Sequence, residues 1–263
     1  MTPQRIYRFI VKERVGGLPQ KPCYFMVPEI KSRKNSDYDV FMGTVITIDG
    51  PAGAGKSTVS RMIAEALRFF YLDTGAMYRA VALQVKREGV DHNNKKELKR
   101  ICENIDLNFW MDGVSNKLSI GNEDVSLAIR TPEMDMLSSE ISALKEVRDA
   151  MKTLQRKLGR RGRVVAEGRD MGTVVFPEAE YKFFLTASLE IRAERRFKER
   201  QSRGEPVSME EVIKEIMERD NQDTNRNIAP LRPAEDAKII DSTALNQNEV
   251  TELILKEIKK GKI

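Results

Sequence analysis

The segment from Val45 to Leu67 constrains this chain more than any other. Val45-Ile46-Thr47-Ile48 is a β-branched run, and Gly50-Pro51-Ala52-Gly53-Ala54-Gly55-Lys56-Ser57 follows it. Val59, Met62, Ile63, Ala66 and Leu67 then recur at helical spacing. The glycine-rich stretch fits G-x-x-x-x-G-K-[ST] and lies between a strand and a helix, the context that pattern requires. Its glycines let main-chain N–H groups converge on a β-phosphate. Lys56 sets a positive charge against the β and γ oxygens, and the Ser57 hydroxyl can ligate Mg²⁺. The following helix adds its positive N-terminal end. Residues Gly50 to Ser57, with Thr58 behind them, are therefore expected to hold a nucleoside triphosphate.

Further along, Phe70–Leu72, Val164–Ala166, Lys182–Leu185 and Lys238–Ile240 are short apolar runs without alternation, separated by long helical segments. That pattern predicts an α/β fold with a parallel sheet covered on both faces. Helices are expected at Ser57–Leu67, Gly75–Arg87, Lys95–Asn104, Pro132–Leu144, Glu146–Leu158, Leu189–Arg203, Met209–Asn225 and Asn246–Lys259. Leu107–Trp110 and Lys117–Ile120 instead alternate around Asp112-Gly113, as in an antiparallel hairpin. Residues 101–137 read as a small insertion in the α/β domain, with Phe109 and Trp110 in its core.

Composition narrows the chemistry. The 263 residues hold one histidine, His92, expected on a surface turn, and two cysteines, Cys23 and Cys102. These exclude a histidine-rich metal centre, a four-thiolate zinc site and a disulfide framework, and make a histidine-based triad unsupported. A reducing cytoplasm is expected. Mean hydropathy is −0.47, and no apolar run approaches the ~18 residues of a membrane span. The net charge is +5, yet residues 1–43 carry eight Lys/Arg against four Asp/Glu, and the remainder is nearly balanced. A nucleic-acid binder would carry its excess on the folded body, so no nucleic-acid partner is expected. Residues 1–43, with four prolines and no sustained periodicity, read as a weakly ordered N-terminal extension to a domain over 44–263.

Arginines cluster at turns. Asp73-Thr74-Gly75-Ala76-Met77-Tyr78-Arg79 spans a strand end and a helix start, and Glu167-Gly168-Arg169-Asp170 follows a strand directly. Ligands of parallel sheets bind at such carboxyl ends. Arg219, Asp223 and Arg226 are spaced to share one helical face, and Arg192, Arg195, Arg196 and Arg200 stud another helix. Surface ion pairing competes with anion binding for each cluster. For the second helix, four like charges favour a mobile cover over a triphosphate. The Asn-Lys-x-Asp of a regulatory GTPase is missing: Asn94-Lys95 and Asn116-Lys117 continue otherwise.

Ile-Asp-Gly-Pro-Ala-Gly-Ala-Gly-Lys-Ser-Thr (48–58), Leu-Asp-Thr-Gly-Ala-Met-Tyr-Arg (72–79), Glu-Gly-Arg-Asp-Met-Gly-Thr-Val-Val-Phe-Pro (167–177) and Arg-Asp-Asn-Gln-Asp-Thr-Asn-Arg (219–226) resemble the bacterial cytidylate kinases, in order, from about Val45 to the C-terminus. The resemblance implies a P-loop kinase fold: a five-stranded parallel core, a monophosphate-binding insertion at 101–137 and an arginine-bearing helical lid at about 189–205. It implies transfer of a phosphoryl group from ATP, with Mg²⁺ at Ser57, to CMP or dCMP. Carried over by position, Thr74, Arg79, Arg169 and Arg226 would hold the CMP phosphate, and Glu167 would line the same site. Ser139, Arg148 and Asp170 would read cytosine, and Arg219 with Asp223 the sugar. Lys56, Arg192 and Arg196 would serve the transferring group. Glu167 and Thr74 stand where some members have Asp and Ser. A soluble monomer without nucleic-acid or membrane partners is expected. A kinase preferring UMP or AMP and a non-catalytic nucleotide-binding module remain the rival readings.

Overall fold

The computed structural model describes residues 43–261 apart from 92, 113, 114 and 161. His92 and nearly all of the N-terminal extension lie outside the described residues. Two compact units result: Ala76–Ile141, and 43–75 together with 142–261.

The larger unit is built on a five-stranded parallel sheet. Numbered along the whole chain, its strands are β1 (Val45–Asp49), β2 (Phe70–Asp73), β6 (Val164–Gly168), β7 (Tyr181–Thr186) and β8 (Lys238–Asp241), in spatial order β2-β6-β1-β7-β8. Every neighbouring pair is parallel, with Ile48 opposite Glu167 and Asp73 opposite Glu167 in register. All five strands coincide with the apolar runs expected from sequence.

Period-2 alternation decides which side of the sheet each residue serves. Ile46 and Ile48 of β1, Tyr71 of β2, Val165 of β6, Phe183 and Leu185 of β7 and Ile240 of β8 form one apolar cluster. Helices α1 (Lys56–Leu67) and α8 (Gln247–Lys260) close that face through Val59, Ile63, Val250, Ile254 and Ile258. Thr47 and Asp49 point the other way, toward a π-helical turn at Met171–Val175, where a Cβ on Gly172 would lie 3.0 Å from Thr47 Oγ1. Helix α5 (Lys145–Gly159) backs this turn, its Arg156 donating to the carbonyls of Val174 and Val175, both at 2.8 Å. Periodicity predicted neither the π-helical turn nor the precise ends of the helices, since both depend on these long-range partners.

Helices α6 (Leu189–Ser202) and α7 (Met209–Asn225) pair through Leu189, Ala193 and Phe197 against Val212, Ile213 and Ile216. A reciprocal cap opens α7: Ser208 Oγ accepts from the Glu211 N–H at 3.2 Å, and the Ser208 N–H donates to the Glu211 carboxylate at 2.8 Å. Ser208→Ala is expected to lower stability by about 1 kcal/mol. In a domain of this size that moves the thermal midpoint down by roughly 2–4 °C. An unchanged midpoint in a melting experiment would show that the cap contributes nothing.

In the smaller unit, β3 (Leu107–Asp112) and β4 (Ser115–Ile120) run antiparallel, and β5 (Glu123–Asp124), not foreseen from sequence, joins β4. Leu107 and Phe109 are buried while Asn108 and Trp110 are half-buried, the alternation expected of a one-sided hairpin. Helix α2 (Thr74–Arg87) leads from the larger unit into this one, which also holds α3 (Lys95–Asn104) and most of α4 (Pro132–Ser142). Cys102 on α3 is buried, and that burial pushes its thiol up to about 12. It is a core residue with no reactive thiolate.

Candidate active site

Between β1 and α1 the chain makes the tight loop that the glycine pattern demands. Gly50 has φ +149°, and a Cβ there would sit 2.0 Å from the Leu185 carbonyl oxygen of β7. Gly53 has φ +75°, and its Cβ would meet the Arg192 backbone of α6 at 2.9 Å. Both glycines are thus required twice over, by conformation and by space. The Lys56 ammonium folds back to donate to the Pro51 carbonyl at 2.7 Å. Its side chain is buried, and burial, reinforced by Arg169 and Arg219, pushes the Lys56 ammonium down to about 7. Arg169 and Arg219 thus act electrostatically on Lys56, with Glu167 and Asp223 as opposing charges.

At the ends of β2 and β6 the polar groups interlock. Tyr71 Oη donates to Glu167 Oε1, and the Thr74 hydroxyl donates to the Glu167 carbonyl at 2.6 Å. Burial, with Asp73 alongside, raises the Glu167 carboxyl above the usual range, while Lys56 and the hydroxyls of Tyr71 and Ser57 oppose the shift. Gly168 is needed because a Cβ there would come within 2.8 Å of Thr74 Oγ1.

One step further, Arg148 from α5 donates to Asp170 Oδ2 and, at 3.0 Å, to the Ser142 carbonyl. Both partners are buried, at 5% and 2% exposure. Arg226 NH2 lies 3.6 Å from Asp170 Oδ1, and Arg226 NH1 the same distance from Asp223 Oδ1. Arg169 Nε donates to Asp223 Oδ2 at 2.7 Å. Burial opposes ionisation of Asp223, yet Arg169 and Arg219 hold its carboxyl below the usual range. The expected shared helical face is only partly realised. Helix α7 stops at Asn225, and Arg226 is extended at φ −64°, ψ 140°, reaching back to Asp223 from beyond the helix.

The larger unit thus brings Lys56, Ser57, Thr74, Arg148, Glu167, Arg169, Asp170, Arg219, Asp223 and Arg226 to the carboxyl ends of its strands. Arg79 and Ser139 belong to the other unit, where Arg79 lies 3.7 Å from Asp135. On α6 each arginine already meets an acceptor, so like-charge repulsion gives no reason for a triphosphate cover there. Arg192 donates to Asp220 at 2.5 Å and to the Ala52 carbonyl at 3.0 Å. Arg195 donates to Ser242 Oγ at 3.0 Å and to the Ser242 carbonyl at 2.8 Å. Arg196 pairs with Glu199 at 3.0 Å, and Arg200 with Glu205 and Glu215 at 2.9 and 2.8 Å.

Compared with known proteins, residues 46–260 match the family model described as Cytidylate kinase. This chain belongs to the cytidylate kinase family. It is 47% identical over 218 residues to the cytidylate kinase of Geobacter sp. strain M21, covering 83% of this chain and 94% of that one. Its identity to the cytidylate kinase of Carboxydothermus hydrogenoformans is 49% over 213 residues, or 81% and 96% of the two chains. To that of Syntrophotalea carbinolica it is 47% over 214 residues, or 81% and 91%.

Sequence reasoning gave no role to Asp49, Tyr71, Asp220 and Ser242. Tyr71 donates to Glu167, Asp220 accepts from the Ala52 N–H at 3.4 Å, and Ser242 Oγ donates to the Ala54 carbonyl at 3.4 Å. Asp49 in particular is buried, accepts from two main-chain N–H groups and has its carboxyl raised to about 7 by burial, with Asp170 adding to the shift. Two signals were available: an aspartate closing an apolar strand immediately before Gly50, and a tyrosine two residues before Asp73.

Proposed function

We propose that this chain transfers the γ-phosphoryl group of ATP to CMP or dCMP, giving ADP and CDP or dCDP, as a cytoplasmic monomer. The observation that carries the reading is the phosphate loop itself, with Gly50 and Gly53 at positive φ and the Lys56 ammonium donating to the Pro51 carbonyl at 2.7 Å, beside the buried Arg148–Asp170 pair. Fixed cations neutralise the two phosphate groups that must approach one another, and arginine does so in a planar, bidentate fashion. Arg169 and Arg226 hold the CMP phosphate together with Arg79 and the Thr74 hydroxyl; Arg219 and Asp223 take the sugar. Lys56 meets the β and γ oxygens, and Arg192, already bonded to the loop through the Ala52 carbonyl at 3.0 Å, serves the transferring group with Arg196. The attacking CMP phosphate oxygen is already ionised at neutral pH. A new bond to the γ phosphorus forms as its bond to the β–γ bridging oxygen breaks, and no general base is required.

Mg²⁺ suits the oxygen donors present. The Ser57 hydroxyl acts on the Glu167 carboxyl, opposing the upward shift that burial gives it, and a hydroxyl plus a carboxylate completed by phosphates is a usual Mg²⁺ environment. Ser57 would hold the ion, which when bound neutralises charge on the phosphates. Around it, this chain's own residues orient both nucleotides and keep water away from the transferring group.

Asp170 and Arg148, with Ser139, read the cytosine edge: a carboxylate accepts from the exocyclic amine of cytosine, where uracil offers only a carbonyl oxygen. A buried mismatch of that kind costs about 1–3 kcal/mol, roughly tenfold to a hundredfold. Release of ADP measured over a panel of monophosphates should therefore favour CMP and dCMP over UMP and AMP. Asp170→Ala is expected to shrink the CMP-over-UMP preference by about that factor. An unchanged ratio would move base reading to another residue, and ADP release indifferent to CMP would remove the kinase reading altogether.

A further inference from the structure

We infer that Asp49 is a positioning residue for the nucleobase side of the site: it caps the turn that presents Asp170, so that the Asp170 carboxylate is directed to Arg148 and the base. The inference rests on the reading of Asp170 as the cytosine acceptor. Asp170 occupies the N-cap position of the π-helical turn Met171–Val175, at φ −146°, ψ 24°, and its side chain makes no capping hydrogen bond. An aspartate at an N-cap ordinarily accepts from the first main-chain N–H groups of its own helix. Here those groups go elsewhere. Met171 N–H donates to Asp49 Oδ1 and Gly172 N–H to Asp49 Oδ2, each at 2.8 Å. Asp170 contributes only its main-chain carbonyl to the turn, accepting from Val174 and Val175 at 2.9 and 3.1 Å.

The arrangement is built rather than incidental. Asp49 is 4% exposed, lies on the sheet face opposite Ile46 and Ile48, and is separated from the turn by more than 120 residues of sequence. Gly172 permits the approach, since a Cβ there would lie 3.0 Å from Thr47 Oγ1 and 3.5 Å from Asp49 Oδ2. Asp49 is bonded covalently to Gly50, the first residue of the phosphate loop. One carboxylate therefore ties the ATP loop to the turn that carries Asp170. Without it, the two N–H groups lose their acceptor, and an N-cap aspartate ordinarily supplies one, which would draw the Asp170 side chain away from Arg148 and the base.

The test is calorimetric binding of CMP and, separately, of a non-hydrolysable ATP analogue to the full chain and to Asp49→Asn. The asparagine keeps one acceptor oxygen but sets an amide donor against the other N–H. The CMP Kd is expected to rise roughly five- to thirtyfold, the range of a lost cap, while the ATP-analogue Kd moves less than about threefold on the same scale. Affinities that fall together, or neither falling, overturn the inference. Should Asp49→Asn fail to fold, amide exchange at Met171 and Gly172 in the unaltered chain decides: CMP, but not the ATP analogue, is expected to slow it, and equal protection by both overturns the inference. A flat Asp49→Asn result beside a collapsed preference in Asp170→Ala overturns the positioning role alone. An unchanged preference in Asp170→Ala overturns the base reading and this inference with it.

Discussion

Lys56→Ala is expected to lower turnover by at least ~10²-fold, about 2.7 kcal/mol of transition-state stabilisation, with the fold intact. The ammonium is the only lysine cation of the glycine-rich loop, and it donates to the Pro51 carbonyl at 2.7 Å. An arriving triphosphate offers it a stronger, charged acceptor, and charge develops on the same oxygens as the phosphoryl group transfers. Structure should tolerate the loss. Burial already disfavours the charged lysine, pushing it down to about 7, so removing it relieves a desolvation cost while one loop hydrogen bond disappears. Circular dichroism and thermal melting establish folding; steady-state ADP release then measures turnover. A folded variant turning over at near-wild-type rate would take Lys56 out of the mechanism.

Arg148→Ala is expected to be the most destabilising of the polar substitutions, by about 3–5 kcal/mol. Its guanidinium and the Asp170 carboxylate are both buried and in contact, so truncation strands a carboxylate in an apolar setting. Arg226, 3.6 Å from the other Asp170 oxygen, supplies partial compensation and places the outcome toward the lower end. At roughly 2–4 °C per kcal/mol, the thermal midpoint should fall by about 6–20 °C. The double variant Arg148→Ala/Asp170→Ala separates a stranded charge from lost packing, because it removes the uncompensated carboxylate. It should melt above Arg148→Ala alone. A double variant no more stable than the single one would show that packing, not charge pairing, is what Arg148 contributes.

These two residues differ in how far sequence could identify them. Lys56 sits in a local pattern: glycines at fixed offsets, a lysine, a hydroxyl residue, a strand before and a helix after. Each element of that pattern expresses short-range physics, namely left-handed backbone at Gly53 and Gly55 and apolar spacing in α1. Arg148 is an arginine in an otherwise ordinary amphipathic helix, and nothing in its neighbourhood along the chain marks it as buried. Only resemblance pointed to it.

The same division runs through the whole molecule. Five β-branched or apolar runs, a one-sided hairpin and the helical spacings were legible, because alternation and 3.6-residue periodicity report burial directly. Sheet order was not. The arrangement β2-β6-β1-β7-β8 sets Tyr71 beside Glu167 and Asp49 beside Met171 and Gly172, pairs 96, 122 and 123 residues apart. The partners on α6 were hidden for the same reason: Arg192 and Arg195 find Asp220 and Ser242, 28 and 47 residues away, where sequence showed only four arginines beside Glu190, Glu194 and Glu199 on the same helix. By itself the sequence determined the phosphate-loop pattern, the family resemblance and which segments become strands and helices. Tertiary structure alone decided which charge neutralises which, because a hydrogen bond or ion pair depends on distance in space, and no periodicity along a chain encodes the order in which its strands assemble.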